Sequence, residues 1–529
     1  MIFQAFLAAL SGLLFLYLLS CRRKTFSYFK SIGIPGPPPN LIWGNIREYH
    51  KNGFYKALNE WCQTYGDIFG FYNGDVPTLV VKDLDMLEYV FVRNFKNFTD
   101  RGITMRTDEM HPSLGKAIIN AKESQWRTLR GYASSGFSAA KLKRMMPHIS
   151  EQAEVLIDIL GEVSDLGREL PTFETFQALA MDNVGRTFFG LNSTFQHNVQ
   201  DAFIAKALNV IPQMMTGPFH FIAHCTTSFG RIVKPLAWLN KLLGTFALEN
   251  FSRDIAKIVE QRRKNPSLRR NDVLQCLIDA EERPDDKTNK KSTNNVASKI
   301  KGNIKRLRKL TEEETTLQAT IFFLGGFQTI SISLCYATFL LAKHPDIQEK
   351  VRKEVREAVA KSGSLNYETV MHKLRYLGQV LNETLRMYPP SLTFMTRAAK
   401  NDFEYNGTKF KAGLTIMSPV LHVHMDSRYW PEPHKFNPDR FSPENIGNFH
   451  KMAFQPFGHG PRNCVGYMMA VLELRYTLAR MVQSFRFDLG ETQKLKFATA
   501  DYTPVADYTS RKCSLRESLP HLNSRRGST

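Results

Sequence analysis

The chain has 529 residues, 43% of them apolar and 12% aromatic, ample for a large buried core and incompatible with a mostly disordered protein. Its formal charge of +20 is spread along the chain instead of gathered into a recognisable binding motif, which excludes nucleic acid as the expected partner. The seven cysteines are odd in number and unpatterned, so a disulfide scaffold is excluded and the usage reads as reduced and cytosol-facing.

In chain order, residues 1–20 are almost wholly apolar, about the length a helix needs to span hydrocarbon, and Arg22, Arg23 and Lys24 follow directly. The run lacks the basic start and small-residue cut site of a signal peptide, so it reads as a membrane anchor. Positive charge after the span holds the remainder of the chain on the cytosolic side. Ile34 to Pro39, IPGPPP, is excluded from helix because consecutive prolines fix φ and remove donors; it reads as a stiff elbow. The pattern predicts a helix over Tyr55–Tyr65 and a strand pair over Gly66–Val81 around Asn73-Gly74. Trp126 and Arg130 then sit one helical turn apart.

Helix-period stretches recur from about Ser150 through Ala280. Inside them, Ile211 to Phe246 is unusually apolar but interrupted by Gly217, Pro218 and Pro235, and reads either as ordinary core or as a membrane-touching lid through which oily substrates enter. Lys287 to Lys309 is polar and basic, a solvated loop between helices or a contact for anionic lipid headgroups. Asn97-Phe-Thr and Asn192-Ser-Thr fit the glycosylation pattern and provide a check on topology.

Ala319 to Pro345 is apolar all round, which marks a helix buried in the middle of the protein. Gly325 and Gly326 interrupt it at a cost of about 1 kcal/mol each relative to Ala, so room for a ligand or a kink is expected there. Thr329 lies one turn on from Gly325. Further helices are expected over Ile347–Lys361 and Leu374–Met387, with short strands after Arg397, giving a mainly α fold with small β-sheets. Glu383 and Arg386 share a helix face at i, i+3, ahead of Pro389 and Pro390.

Near the C-terminus, FGHGPRNCVG (Phe457 to Gly466) surrounds Cys464 with Gly458, Gly460 and Gly466, which allow positive φ and close approach of the main chain to a bulky or flat object. A structural zinc site wants about four Cys or His ligands in paired spacings, and no second CxxC or HxxxH lies nearby. One thiolate alone suits haem iron.

This segment, F-G-x-G-x-R-x-C-x-G, resembles the haem-binding loop of the cytochrome P450 family of haem-thiolate monooxygenases. The oxygen-activation helix of that family is similar to Gly325, Gly326, Phe327, Gln328 and Thr329, with Thr329 as the expected proton donor. The chain departs from the pattern in carrying Gln328 in place of an acid and Ile330 in place of a second hydroxyl, which puts proton supply in doubt. Pro438-Asp439-Arg440-Phe441 resembles the segment that follows the family's Glu-x-x-Arg helix, implying a buried network of Glu383, Arg386 and Arg440 that braces the cysteine loop. Trp126, Arg130, Arg397 and Arg462 match partners of the haem propionates; Phe457 and Gly466 flank the axial ligand Cys464. The resemblance is nearest to the animal microsomal branch that handles drugs, steroids and plant toxins.

What the resemblance implies is one large haem-thiolate domain over residues 41–510, after an anchor at 1–20 and a basic flank and Pro-rich hinge at 21–40, with a polar tail at 511–529. It implies haem b on Cys464, O2 and a lipophilic small molecule as substrates, an NADPH-cytochrome reductase and a small acidic cytochrome as partners, and lipid contact. The location implied is the endoplasmic reticulum membrane, single-pass, with the catalytic domain cytosolic. Two other readings stay open: a haem-thiolate isomerase or dehydratase acting on hydroperoxides, and a catalytically silent haem or lipid binder.

Overall fold

The computed structural model describes residues 2–51, 53–102, 114–215, 246–281, 308–392, 395–490 and 512–517, with Cys225, Pro235, Trp238 and Leu239. Most of the apolar stretch between Ile211 and Phe246, nearly all of the basic run Lys287 to Lys309, the loop 103–113 and most of the tail after 510 lie outside the described residues.

The principal helices are α1 (Ile2–Phe26), α2 (Phe54–Tyr65), α3 (Glu123–Gly136), α4 (Ala139–Asp165), α5 (Thr172–Phe189), α6 (Ala202–Met215), α7 (Ala247–Lys264), α8 (Glu312–Lys343), α9 (Pro345–Ser362), α10 (Arg375–Met387), α11 (Val420–His424) and α12 (Tyr467–Ser484). The central element is α8, which packs against α5, α7, α10 and α12. Its start is set by a capping box, in which the Thr311 hydroxyl accepts from the Glu314 N–H at 3.2 Å and the Glu314 carboxylate accepts from the Thr311 N–H at 3.0 Å. Glu312, Glu313 and Glu314 in the first turn complement the helix dipole. α8 is long and apolar enough to cross a membrane, but most of its apolar window is buried, so the core is what uses that apolarity.

The strands are β1 (Ile68–Asn73), β2 (Val76–Val81), β3 (Leu170–Pro171), β4 (Thr396–Ala398), β5 (Phe403–Tyr405), β6 (Thr408–Phe410), β7 (Thr415–Met417), β8 (Phe485–Leu489) and β9 (Lys512–Glu517). One sheet runs in the order β1-β2-β7-β4, with β2 and β7 parallel and Arg397 paired opposite Ile416. This sheet carries a second core of Phe29, Tyr72, Leu79, Phe91, Ile416 and Trp430, separate from the larger helical one. β5 and β6 form a hairpin, and β9 lies between β3 and β8, so part of the chain that composition assigns to a polar tail is a sheet strand.

Several local expectations are refined. α1 continues through Arg22, Arg23 and Lys24 to Phe26, and Arg22 docks its end by donating to the carbonyls of Ile42 at 2.9 Å and Cys225 at 2.5 Å. The prolines at 34–39 form no helix and run against β1, where the Gly70 N–H donates to Pro35 O at 2.8 Å. The turn between β1 and β2 is Gly74-Asp75, opened by Gly74 at φ 70°. Of the two glycosylation sites only Asn192 is exposed; Asn97 is buried, with its amide donating to Asn401 O at 3.2 Å and its carbonyl accepting from the Asn401 N–H at 2.8 Å.

Candidate active site

The cysteine bend enters α12 directly. The Cys464 N–H donates to Phe457 O at 2.8 Å and the Asn463 N–H to Gly460 O at 3.0 Å. Gly458 and Gly460 hold φ of 72° and 71°, and a side chain at Gly460 would also run into the Phe91 carbonyl. Gly466 departs from expectation: at φ −87° it needs no left-handed freedom, and an added Cβ would sit 3.7 Å from Phe137 and 4.0 Å from the Cys464 Sγ. Phe457 packs edge-on against Tyr467, with ring centroids 4.7 Å apart.

Burial pushes the Cys464 thiol up, while the Gly466 N–H on the sulfur and the cations Arg130 and Arg101 push it down. The residue nevertheless keeps open surface. Dense surroundings and open surface together mean that the sulfur faces an internal cleft and not the outside of the molecule.

Arginines converge beside this bend. Arg130, on α3, donates to Asn463 O at 2.5 Å and to Asn463 Oδ1 at 2.8 Å, so it grips the residue before Cys464 instead of standing free for a carboxylate. Arg462 lies over the Trp126 ring, 4.7 Å from its centroid, and donates to Ala121 O; its Nε and Nη1 are buried without a partner. Arg397, held by β4, donates to Thr396 O at 2.8 Å and His459 O at 3.1 Å, and its Nε has no partner. Burial, reinforced by mutual repulsion among the cations, lowers Arg462 to about 9 and also lowers Arg397. Arg101 joins the group and is lowered to about 10, chiefly by burial. No motif marked Arg101 as a binding residue, because it stands alone in a loop.

Buried like charges with unused N–H donors make a receptor for anions, and the planar fork of guanidinium suits carboxylates. The two propionates of a haem fit that donor set, with Cys464 as the single thiolate beside it.

Opposite, α8 presents one face to open space. Gly325 is exposed next to buried Leu324, and an added Cβ would meet nothing within 4 Å. Gly326 has another purpose: a side chain there would collide with Val184 of α5, so this glycine serves helix packing and not ligand room. Thr329 donates its hydroxyl to Gly325 O at 3.0 Å. Gln328 is buried. Phe137 connects the two sides, since its ring borders Gly466 and packs 6.1 Å from the Phe322 ring, one turn before Gly325.

The acid and arginine of α10 form a buried network. Arg386 meets the two oxygens of Glu383 at 2.7 and 2.9 Å, and Arg440 reaches Glu383 Oε1 at 3.3 Å. Arg386 also donates to His424 O and to Pro433 O, each at 2.7 Å. His424 Nε2 accepts from the Gln455 N–H at 2.7 Å, leaving its Nδ1 proton for Arg386 O at 3.0 Å. Burial and Arg386 hold His424 neutral, at about 3. Gln455 stands two residues before Phe457, so the network reaches the bend through His424 and Gln455, neither of which the motifs single out.

A model described as Cytochrome P450 matches residues 34–502. Among curated proteins, the chain is 32% identical to Cytochrome P450 3A14 of Cavia porcellus over 469 residues, 88% of each chain. It is 32% identical to Cytochrome P450 3A9 of Rattus norvegicus over 494 residues, 93% of this chain and 92% of that protein. Against Cytochrome P450 3A41 of Mus musculus the identity is 32% over 475 residues, 89% of this chain and 88% of the other. With the family matched over nearly the whole length, the chain belongs to the cytochrome P450 family and is a haem-dependent monooxygenase, an oxidoreductase that carries haem b on a cysteine thiolate.

Proposed function

We propose that this chain inserts one oxygen atom from O2 into small lipophilic substrates, in the class of xenobiotics, steroids or fatty acids. Electrons come from NADPH through a flavoprotein reductase, with a small acidic cytochrome as a second donor; the chain's charge of +20 favours association with acidic partners. The observation that carries the reading is the open Cys464 sulfur, set beside buried arginines with unused donors and joined through Phe137 to the Gly325 and Thr329 face of α8.

In this reading Cys464 would supply the thiolate that holds the haem iron, Arg397, Arg462 and Arg101 would take the two haem carboxylates, and the Trp126 ring supports the Arg462 guanidinium. Arg130 fixes Asn463 and so the position of the bend; Gly466 places an N–H on the sulfur, and Phe457 closes the bend's flank. The bound haem supplies the electron-transfer and oxygen-reducing chemistry. Thr329 holds the transferable proton at Oγ1, on the face that borders the cleft. Gln328 has no proton to give at neutral pH, so delivery passes through Thr329 and water. The apolar wall of Phe137, Phe322 and Ile118 favours an oily substrate over a polar one.

The N-terminal helix anchors the protein as a single pass in the endoplasmic reticulum membrane, with the catalytic domain, residues 41–510, on the cytosolic side. Supporting this are the exposed apolar side chains of α1, including Phe3, Phe6, Leu13 and Leu16, and the basic residues that follow them. Sugar on Asn192 in cells would overturn the orientation.

The absence of an acid at Gln328 favours a second reading, a haem-thiolate isomerase or dehydratase that rearranges a hydroperoxide without reductase. The deciding experiment is the carbon-monoxide difference spectrum of the reduced protein, followed by product analysis with reductase and NADPH. A thiolate-type spectrum lost in Cys464→Ser, with NADPH-dependent oxygenated product, is expected. Turnover of a hydroperoxide alone moves the assignment to the second reading, and an unchanged Soret spectrum in Cys464→Ser removes both.

A further inference from the structure

Gln318 lies on the second turn of α8 and is almost wholly buried, at 1% exposure. Its side-chain amide is used at both ends by one neighbouring segment. Gln318 Oε1 accepts from the Ile118 N–H at 2.8 Å, and Gln318 Nε2 donates to Lys116 O at 3.0 Å. A primary amide is the side chain that both donates and accepts in one plane, so it pairs with the C=O and N–H of residues two apart as another peptide group would.

The segment so held, Leu114 to Ala121, is a short strap. It starts as a single 3-10 turn over Leu114–Lys116, and Asn120 Nδ2 closes it by donating to Leu114 O at 3.2 Å. Its far end is held from the opposite side, where Arg462 donates to the Ala121 carbonyl. The strap therefore runs from α8 to the cysteine bend.

Helix geometry places this connection over the cleft. At about 100° per residue, Gly325 and Thr329 each fall about 20° from Gln318 around α8, one on either side of it, and Gln318 stands about 10 Å from Gly325 along the axis. The strap thus crosses the same face that presents Gly325 and Thr329 to open space, and it carries Ile118 and Ile119 with it.

We infer that Gln318 is a positioning residue that determines substrate size selection, by pinning Ile118 and Ile119 as the side wall of the cleft. The exposed ion pair of Lys116 with Glu313, at 3.0 Å, lies alongside but is not what holds the wall. The inference rests on the haem reading given above.

The test uses the full-length haem-loaded protein and two ligands that coordinate haem iron, imidazole and the bulkier 1-benzylimidazole, each titrated by the Soret shift. In Gln318→Ala the affinity ratio of bulky to small ligand is expected to change about tenfold, with imidazole itself moving less than about twofold, because only the larger ligand meets the wall. Gln318→Glu, which keeps the acceptor for Ile118 and loses the donor to Lys116, is expected to fall between. Glu313→Gln, which removes only the exposed ion pair, should leave the ratio as in wild type. Amide exchange adds a readout independent of ligand: Ile118 protection should fall in Gln318→Ala, which removes the acceptor of its N–H, while that of α12 is retained. An unchanged ratio in both Gln318 variants overturns the proposal and leaves the haem reading standing. A wild type that shows no Soret response to either ligand overturns the haem reading and the proposal with it.

Discussion

Arg386 and Glu383 face each other one turn apart on α10, 2.7 and 2.9 Å between their charged atoms, with both side chains fully buried. On the surface of a helix such a pair contributes a few tenths of a kcal/mol; in the interior the removal of one partner strands a charge.

Glu383→Gln is therefore expected to cost about 3–5 kcal/mol, the range for breaking a buried pair, and to release haem, since the network leads through His424 and Gln455 to the bend. Arg440→Ala, which loses the longer 3.3 Å contact, is expected to cost about 1–2 kcal/mol. The haem-to-protein ratio after purification and the thermal midpoint check both. Equal behaviour of the two variants would show that Arg440 carries as much of the network as Glu383.

The adjacent glycines of α8 should respond in opposite ways. Gly326→Ala pushes a methyl into Val184 and is expected to destabilise by about 1–3 kcal/mol, with Val184→Ala restoring the loss. Gly325→Ala enters open space, gains up to about 1 kcal/mol of helix propensity, and narrows the cleft. Thermal midpoints and lipophile binding distinguish them: Gly326→Ala lowers the first, Gly325→Ala weakens the second.

Gln328→Glu restores an ionisable group one residue before Thr329. If proton supply limits the native protein, product formed per NADPH consumed should rise by about tenfold, less than the range of about 10²–10⁴ that a fully positioned proton donor contributes. Stopped-time product assays against NADPH loss give the ratio directly. No gain would mean that Thr329 and water already suffice.

Glu473 of α12 is a buried acid outside the site, with Asn183 of α5 donating to it at 2.8 Å, and burial raises it from 4.5 to about 8. Between those two values the folded protein retains a proton that the unfolded chain has lost, so stability falls as pH rises, by about 1.4 kcal/mol per unit at most. Glu473→Gln keeps the oxygen that faces Asn183 and carries no charge. It should match wild type near pH 5 and exceed it by about 2–4 kcal/mol above pH 8, read from denaturant midpoints at the two values. Parallel pH profiles for both proteins would assign the burial cost elsewhere.

Motif spacing carried a large part of this structure. The helices over Tyr55–Tyr65, Ile347–Lys361 and Leu374–Met387 and the first hairpin are local matters of period and turn residues, and they appear within a residue or two of where the pattern puts them. The cysteine bend was legible for the same reason, because left-handed φ at Gly458 and Gly460 is written into residue type. Gly466 and Gly326 show the limit. Each is a glycine in a motif, but Gly466 needs no unusual φ, and Gly326 is required by Val184, a residue more than a hundred positions away.

Sequence by itself set out the chemistry at the centre: one cysteine in a glycine bend is readable from residue type and short spacing, while the missing acid beside Thr329 and the burial of the Glu-x-x-Arg pair came from the family resemblance. Only the tertiary structure decided that Arg101 joins Arg397 and Arg462, that Arg130 holds Asn463, that His424 and Gln455 connect the buried pair to the bend, and that Gln318 pins a strap two hundred residues before it. Those contacts depend on how separate elements pack in three dimensions, and packing brings together residues whose distance along the chain carries no periodic signal.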